Sequence, residues 1–173
     1  MESGKRVLII ISIISSSCLF PSEAGAETHL ELVSNTCKQV GDVNSCTNVL
    51  KTLPLSTNLQ SMAVSALDAA KKQTTSVRDF FNDKSSKNPQ FEKALKVCAE
   101  QFEVSIHSFN PMVLEGGTGS LDVHYALDNM KVCEDGLAKS NVHIDEITSK
   151  LREWMPYFTA AYATVMAMEN TAK

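Results

Sequence analysis

The sequence predicts an all-α fold: an up-down-up-down four-helix bundle preceded by a helical hairpin that a disulfide closes. Apolar residues recur at steps of three and four in four long segments, and each segment is bounded by helix breakers. Strand-like alternation of apolar and polar residues is nearly absent. Four cysteines follow a predicted leader, which is typical of a secreted domain with two disulfides.

The first 26 residues are typical of a secretory signal peptide. Lys5 and Arg6 provide the positive start, residues 7–20 form an apolar core too short to span a bilayer, and residues 24–26 form a small-x-small cleavage site. An uncleaved membrane anchor is the alternative, but the short core and the well-placed site argue against it. We expect a mature chain that begins near Glu27, is exported, and has no membrane attachment.

The predicted mature chain, residues 27–173, is long enough for one domain with one good core. Its formal net charge stays at −4, because the leader carries two basic and two acidic residues. No basic run occurs, which argues against nucleic acid as a partner. We expect an N-terminal hairpin over residues 27–57 and a four-helix bundle over residues 58–171.

The hairpin is predicted from Cys37 and Cys46, which flank a turn at Gly41-Asp42. A short helix is expected on each side of this turn. The connection to the bundle contains Pro54.

The first long helix is predicted over residues 58–81. Thr57 and Gln60 fit a capping box at its start. The polar segment 82–88 is predicted to be a loop. The apolar stripe comprises Leu59, Ala63, Ala66, Ala70, Val77 and Phe81.

The second long helix is predicted to begin with Asn88 as N-cap and Pro89 at the first helical position, where the missing N–H costs nothing. Asn110-Pro111 should end or kink it. Its stripe comprises Phe91, Leu95, Cys98, Phe102, Ile106 and Phe109.

The third and fourth helices follow a glycine-rich linker over residues 116–119. The third is predicted to begin near Ser120, and the fourth follows Asn141, with a kink expected at Pro156. The third stripe comprises Val123, Ala126, Met130, Cys133 and Leu137. The fourth comprises Ile144, Ile147, Leu151, Trp154, Phe158, Ala161, Val165 and Met168. This three-four alternation suits packing against helices that cross at about 20°.

Four cysteines allow three disulfide pairings. Cys98 and Cys133 lie on the core stripes of the second and third helices, so antiparallel packing would bring them together. Cys37 and Cys46 would then close the hairpin. A zinc site is the alternative, but no Cys-x-x-Cys occurs and the histidines lie at no ligand-like spacing from the cysteines. We therefore predict no metal.

Catalytic motifs are not found. The chain contains no Gly-x-Ser-x-Gly, no His-Glu-x-x-His and no calcium-binding loop. Asp122 and Asp128 are six residues apart on a predicted helix, which rotates them away from each other and argues against an acid/base pair. We predict neither an enzyme nor a cofactor.

Three motifs resemble the plant invertase and pectin methylesterase inhibitor family. They are Thr36-Cys37 followed after eight residues by Cys46, Ala94-Leu95-Lys96-Val97-Cys98-Ala99-Glu100 at the start of a long helix, and Cys133-Glu134-Asp135-Gly136 in a later one. The resemblance covers essentially the whole mature chain and implies the pairs Cys37–Cys46 and Cys98–Cys133. It also implies a cell-wall (apoplastic) protein that inhibits a carbohydrate-active enzyme through a 1:1 complex.

The resemblance leaves two target enzymes. One branch of the family caps the substrate cleft of pectin methylesterase with bundle helices. The other blocks acid invertase, in the cell wall or vacuole, with an Asp-Pro-Lys-Phe segment. Here Asp122-Val123-His124-Tyr125 stands in that place and lacks the Pro and the Lys, although His124 would carry a positive charge in an acidic compartment.

Pectin methylesterase is therefore the first hypothesis for the partner, and invertase is the second. A secreted bundle that signals or stores without inhibiting an enzyme is the alternative from another class. Asp122, His124 and Tyr125 are the predicted partner-binding residues; the alternative is that they are ordinary helix surface.

Overall fold

The structure is a computed structural model that describes residues 23–171 and consists of six α-helices joined by short links. The helices are α1 Glu23–Cys37, α2 Val43–Leu50, α3 Leu59–Lys87, α4 Glu92–His107, α5 Gly119–Lys139 and α6 Asp145–Thr171. No strand occurs within this range, so the predicted all-α class is confirmed. Residues 1–22 of the predicted leader lie outside the described residues, and residues 23–26, the last four of the leader, form the start of α1.

The bundle is formed by α3 to α6. Helix α3 packs against α4, α4 against α5, α5 against α6, and α6 returns to α3. Most residues of the four predicted stripes are buried, whereas Leu59, Phe91, Ile144 and Met168 are partly exposed. The largest fully buried side chains in the core are aromatic. The four-helix arrangement expected from the periodicity is confirmed.

The hairpin of α1 and α2 packs against α6 and forms a second, smaller core with it. A disulfide joins Cys37 to Cys46 across the turn. Asp42 caps α2 by accepting a hydrogen bond from the Ser45 N–H at 3.0 Å. His29 ties α1 to the link before α3, because its Nδ1 accepts the Ser56 N–H at 3.1 Å.

Helix α3 differs from its predicted extent. It continues to Lys87, so the loop predicted over residues 82–88 is wrong. Its polar last turns are helical because Ser85 is buried and because Lys87 pairs with Asp83 at 2.7 Å. The helix ends where Asn88 donates its backbone and side-chain N–H groups to the Lys84 carbonyl at 3.1 and 2.8 Å.

The start of α3 also differs from the prediction. Asn58, not Thr57, is the N-cap, and its side-chain oxygen accepts the Ser61 N–H at 2.8 Å. The predicted capping box of Thr57 and Gln60 is therefore wrong by one residue. Asparagine is at least as good a cap as threonine, and the spacing alone did not distinguish them.

The predicted breaks around α4 are confirmed with altered detail. Pro89 opens a 3-10 turn, Pro89–Phe91, and the α-helix starts at Glu92. The Asn88 side chain makes no N-cap hydrogen bond there. After His107 the chain enters a second 3-10 turn, Pro111–Leu114, which Asn110 caps through the Met112 N–H at 3.0 Å.

Helices α5 and α6 carry their predicted stripes into the core. Gly119 belongs to α5 and is buried, so the flexible linker is one residue shorter than expected. Pro156 lies inside α6, which continues past it as predicted. A disulfide between Cys98 and Cys133 joins α4 to α5, with the two Cα atoms 4.6 Å apart.

Candidate binding surface

A row of aromatic rings crosses the bundle and ends at a predicted partner-binding residue. Neighbouring ring centroids are 5.3–5.8 Å apart along Phe81, Phe102, Trp154, Phe158, Tyr162 and His124. Trp154, Phe158 and Tyr162 follow one another at steps of four along α6, so they stand on one side of that helix. The row places the His124 imidazole on α5 against the Tyr162 ring of α6.

The three predicted partner-binding residues do not form one projection, because consecutive helical residues are rotated by about 100°. His124 faces α6 and also lies 3.9 Å from the Asp128 carboxylate through Nε2. Asp122 is seven residues from Asn129, whose side chain donates to Ser105 Oγ of α4 at 3.2 Å, and therefore lies on the flank nearest α4. Tyr125 points outward between these two directions.

An outward ridge of α5 was not found by the sequence reasoning. Leu121, Tyr125, Asp128 and Val132 recur at steps of four, three and four, and the three apolar members are about half exposed, at 53%, 51% and 49%. The signal was present as a second periodic stripe outside the core stripe. Exposed apolar side chains in such a row are typical of a surface that binds another protein.

Helix α4 adds one residue to this surface. Glu103 pairs with Arg78 of α3 and Ser105 contacts α5, so Val104 between them points outward, and it is 56% exposed. Together with Leu121, Tyr125 and Val132 of α5, it forms what we call the α4–α5 face. The buried Cys98–Cys133 disulfide joins the two helices that carry this face.

The ion pairs beside this surface are ordinary. The carboxylate of Asp128, which belongs to the ridge, lies 3.5 Å from the Lys131 ammonium. Where pKa values shift, the cause is an exposed hydrogen-bonded pair elsewhere: Lys96 lowers the pKa of Glu92 and Glu103 raises the pKa of Arg78. Such shifts are expected of helix-surface pairs, and they do not mark a catalytic group on the α4–α5 face.

An open groove of about 470 Å³ lies between the end of α5 and the start of α6. It contains Glu134, His143, Asp145 and Arg152 among apolar side chains. Within residues 23–171, no group of three or more His, Cys, Asp or Glu side chains is placed to hold a metal ion. None of the helices described there is both long enough and apolar enough to cross a membrane.

Comparisons with known proteins agree with this architecture. The chain matches the family model described as plant invertase/pectin methylesterase inhibitor over residues 31–168. A solved structure of a pectin methylesterase inhibitor from Arabidopsis thaliana is similar in fold, with a TM-score of 0.53 and 19% sequence identity. The match covers 83% of this chain and 97% of the other. No curated protein sequence matches the chain.

Proposed function

Because the chain belongs to the plant invertase/pectin methylesterase inhibitor family, we propose that it is a secreted inhibitor of pectin methylesterase that forms a 1:1 complex over the substrate cleft. Family membership makes it an inhibitor of one of two enzymes, not an enzyme itself. The α4–α5 face is the observation that carries the choice of mechanism. It offers four half-exposed apolar side chains on two helices that a disulfide joins, so little order is lost on binding.

The conformation of residues 122–125 favours pectin methylesterase over invertase. A segment that enters a sucrose site has to present its side chains together. Here the segment lies inside α5, with Asp122 beside α4 and His124 against Tyr162 of α6. A broad cleft that meets several helix faces places no such demand on these residues. We therefore propose that Tyr125 contacts the target directly and that Asp122 and His124 lie at the edges of the contact.

We also propose export to the extracellular space, or apoplast. The predicted leader over residues 1–26 and the disulfides Cys37–Cys46 and Cys98–Cys133 both support an oxidising, exported location. The proposed inhibitor domain then spans residues 27–173, with the hairpin at 27–57 and the bundle at 58–171. N-terminal sequencing of protein recovered from culture medium tests the cleavage after Ala26.

The decisive experiment compares two substitutions of exposed apolar residues. Val104→Asp places a charge in the α4–α5 face, whereas Leu55→Asp places one at a residue 63% exposed in the link between hairpin and bundle. We expect Val104→Asp to weaken inhibition of pectin methylesterase by at least about tenfold, as for a residue near the centre of an interface. Leu55→Asp should leave inhibition unchanged. Equal effects of the two variants contradict the proposed surface.

Invertase remains the second candidate because the family includes inhibitors of both enzymes, and we propose Asp122 and His124 as the residues that would serve that role. Acid invertase and pectin methylesterase should be assayed side by side between about pH 5 and about pH 7.5, the range in which histidine loses its proton. Invertase inhibition that fades across this range, and that His124→Ala makes independent of pH, would favour the second candidate. If the folded, oxidised protein inhibits neither enzyme, the non-inhibitory bundle takes the place of both.

A further inference from the structure

We propose that Glu169 is a positioning residue for target binding, and the inference rests on the proposed function above. Its carboxylate holds the first turn of α5 in helical conformation. Leu121 lies in that turn and Tyr125 lies one turn later, so the positions of these two members of the α4–α5 face depend on how α5 begins. Glu169 itself lies on α6, 49 residues further along the chain than the Ser120 to which it binds.

The contact is a pair of hydrogen bonds to one residue. The Ser120 backbone N–H donates to Oε1 of Glu169 at 2.8 Å, and the Ser120 hydroxyl donates to Oε2 at 2.7 Å. The first N–H groups of a helix have no partner within it, and a carboxylate there is favoured by the helix dipole. Glu169 therefore does for α5 what a local N-cap does for most helices.

The local N-cap is missing in α5. Thr118 occupies that position and makes no side-chain capping hydrogen bond. Residues 115–118 before it are exposed, and Gly117 has a positive φ of 68°. The preceding chain is thus not built to cap the helix, and the end of α6 provides the missing acceptor.

The same turn is also held by packing. A Cβ atom added to Gly119 would lie 2.3 Å from the Val113 carbonyl oxygen. The backbone of α5 therefore starts directly against the 3-10 turn Pro111–Leu114. With Val113 and Val165 against Gly119 and with Glu169 bound to Ser120, the first turn has little freedom. A target that binds the α4–α5 face then meets Leu121 already ordered, and the ordering cost is avoided.

Three variants separate positioning from other roles. Glu169→Ala removes both acceptors. Glu169→Gln keeps the length, and its amide can still accept the Ser120 N–H and donate to the hydroxyl. Asn170→Ala is the matched control, because it removes a hydrogen bond to Gln39 of 3.2 Å at the same end of the bundle.

The test measures two quantities on the oxidised full mature protein: amide hydrogen exchange and the Kd for pectin methylesterase. In Glu169→Ala we expect faster exchange at residues 119–122 with unchanged exchange in α4. We expect its Kd to rise about tenfold, because the corresponding change in binding free energy lies within the range of free energies that loss of a helix N-cap costs. Glu169→Gln should recover most of both losses, and Asn170→Ala should change neither quantity.

Three results would overturn the inference: faster exchange with unchanged Kd, a weaker Kd with unchanged exchange, or no effect of Glu169→Ala on either quantity. The first means a purely structural cap, and the second means that Glu169 touches the target itself. If the wild type binds no pectin methylesterase, the proposed function fails and this role fails with it. A wild type that binds while Glu169→Ala binds equally well refutes only the positioning role.

Discussion

Two glycines of α5 offer a test of where this helix starts and how it packs. Gly119 is the buried first residue of the helix, and Gly136, the last residue of the Cys133-Glu134-Asp135-Gly136 motif, lies 17 residues later. A Cβ added to Gly136 would have no heavy atom within 4 Å. The same substitution, glycine to alanine, should therefore have opposite effects on stability at the two positions.

The magnitudes follow from what each new methyl group meets. At Gly119 the Cβ would lie 2.3 Å from the Val113 carbonyl oxygen and 3.0 Å from Val165 Cγ1. A backbone oxygen cannot move aside without moving its 3-10 turn, so we expect a loss of about 1–3 kcal/mol. At Gly136 the methyl group meets open space, and alanine should stabilise the helix by about 0.5–1 kcal/mol.

Urea unfolding of the oxidised protein, followed by far-UV circular dichroism, measures both effects. The single tryptophan, Trp154, is fully buried, so its fluorescence provides a second probe of the same transition. Coincident transitions are needed before free energies are compared. In thermal unfolding, each kcal/mol should shift the Tm by about 2–4 °C for a chain of this size.

Two results would contradict this packing of α5. If Gly119→Ala is as stable as the wild type, the first turn of α5 does not lie against Val113. If Gly136→Ala is destabilised, this part of α5 packs against something that the structure does not place there. The first result would also remove the packing contact that supports the proposed role of Glu169.

Three further predictions concern the core, a helix cap and the disulfides. Trp154 donates its Nε1–H to Thr74 Oγ1 at 2.8 Å in the core, so Thr74→Val should destabilise by about 1–3 kcal/mol in urea unfolding. The control Thr75→Val, on an exposed site, should stay within about 0.5 kcal/mol, and equal losses would contradict the buried hydrogen bond. Hydrogen bonds from the Ser45 side chain and backbone lower the pKa of Asp42, so Asp42→Ala should lower the free energy of unfolding above pH about 4. The difference in stability between wild type and variant should fade as pH falls through the lowered pKa of Asp42. A stability difference that stays the same at low pH would contradict this prediction. Non-reducing peptide mapping should recover Cys37–Cys46 and Cys98–Cys133, and a Cys46–Cys98 peptide would refute both the pairing and the bundle order.

Local periodicity determined the class of the fold and the membership of its core. The three-four alternation predicts the seam of the fourth long helix, and of its eight residues six are buried in α6. The other two, Ile144 just before α6 and Met168 within it, are partly exposed. This works because a helix repeats every 3.6 residues, so the spacing of apolar residues along the chain shows directly which face of the helix is buried. The same periodicity predicts that Pro156 lies within α6 and off the seam, and the helix does continue past it.

Local signals failed where a distant contact decided the outcome. The polar last turns of α3 resemble a loop, yet they are helical. Besides the local pair Lys87–Asp83, Lys84 binds Glu146 of α6 and Ser85 is buried in the bundle. Propensity within the segment contains no information about these partners. Helix ends are therefore the part of this chain that its neighbours determine most strongly.

The binding surface shows the same division. The sequence by itself identified Asp122, His124 and Tyr125 as a segment of interest and placed it on a helix. Only the tertiary structure decided that His124 turns to Tyr162 and Tyr125 to solvent, and that Glu169 caps the helix from 49 residues away. Periodicity states that a face is buried or exposed, but the identity of the neighbouring helix depends on how all the faces pack together.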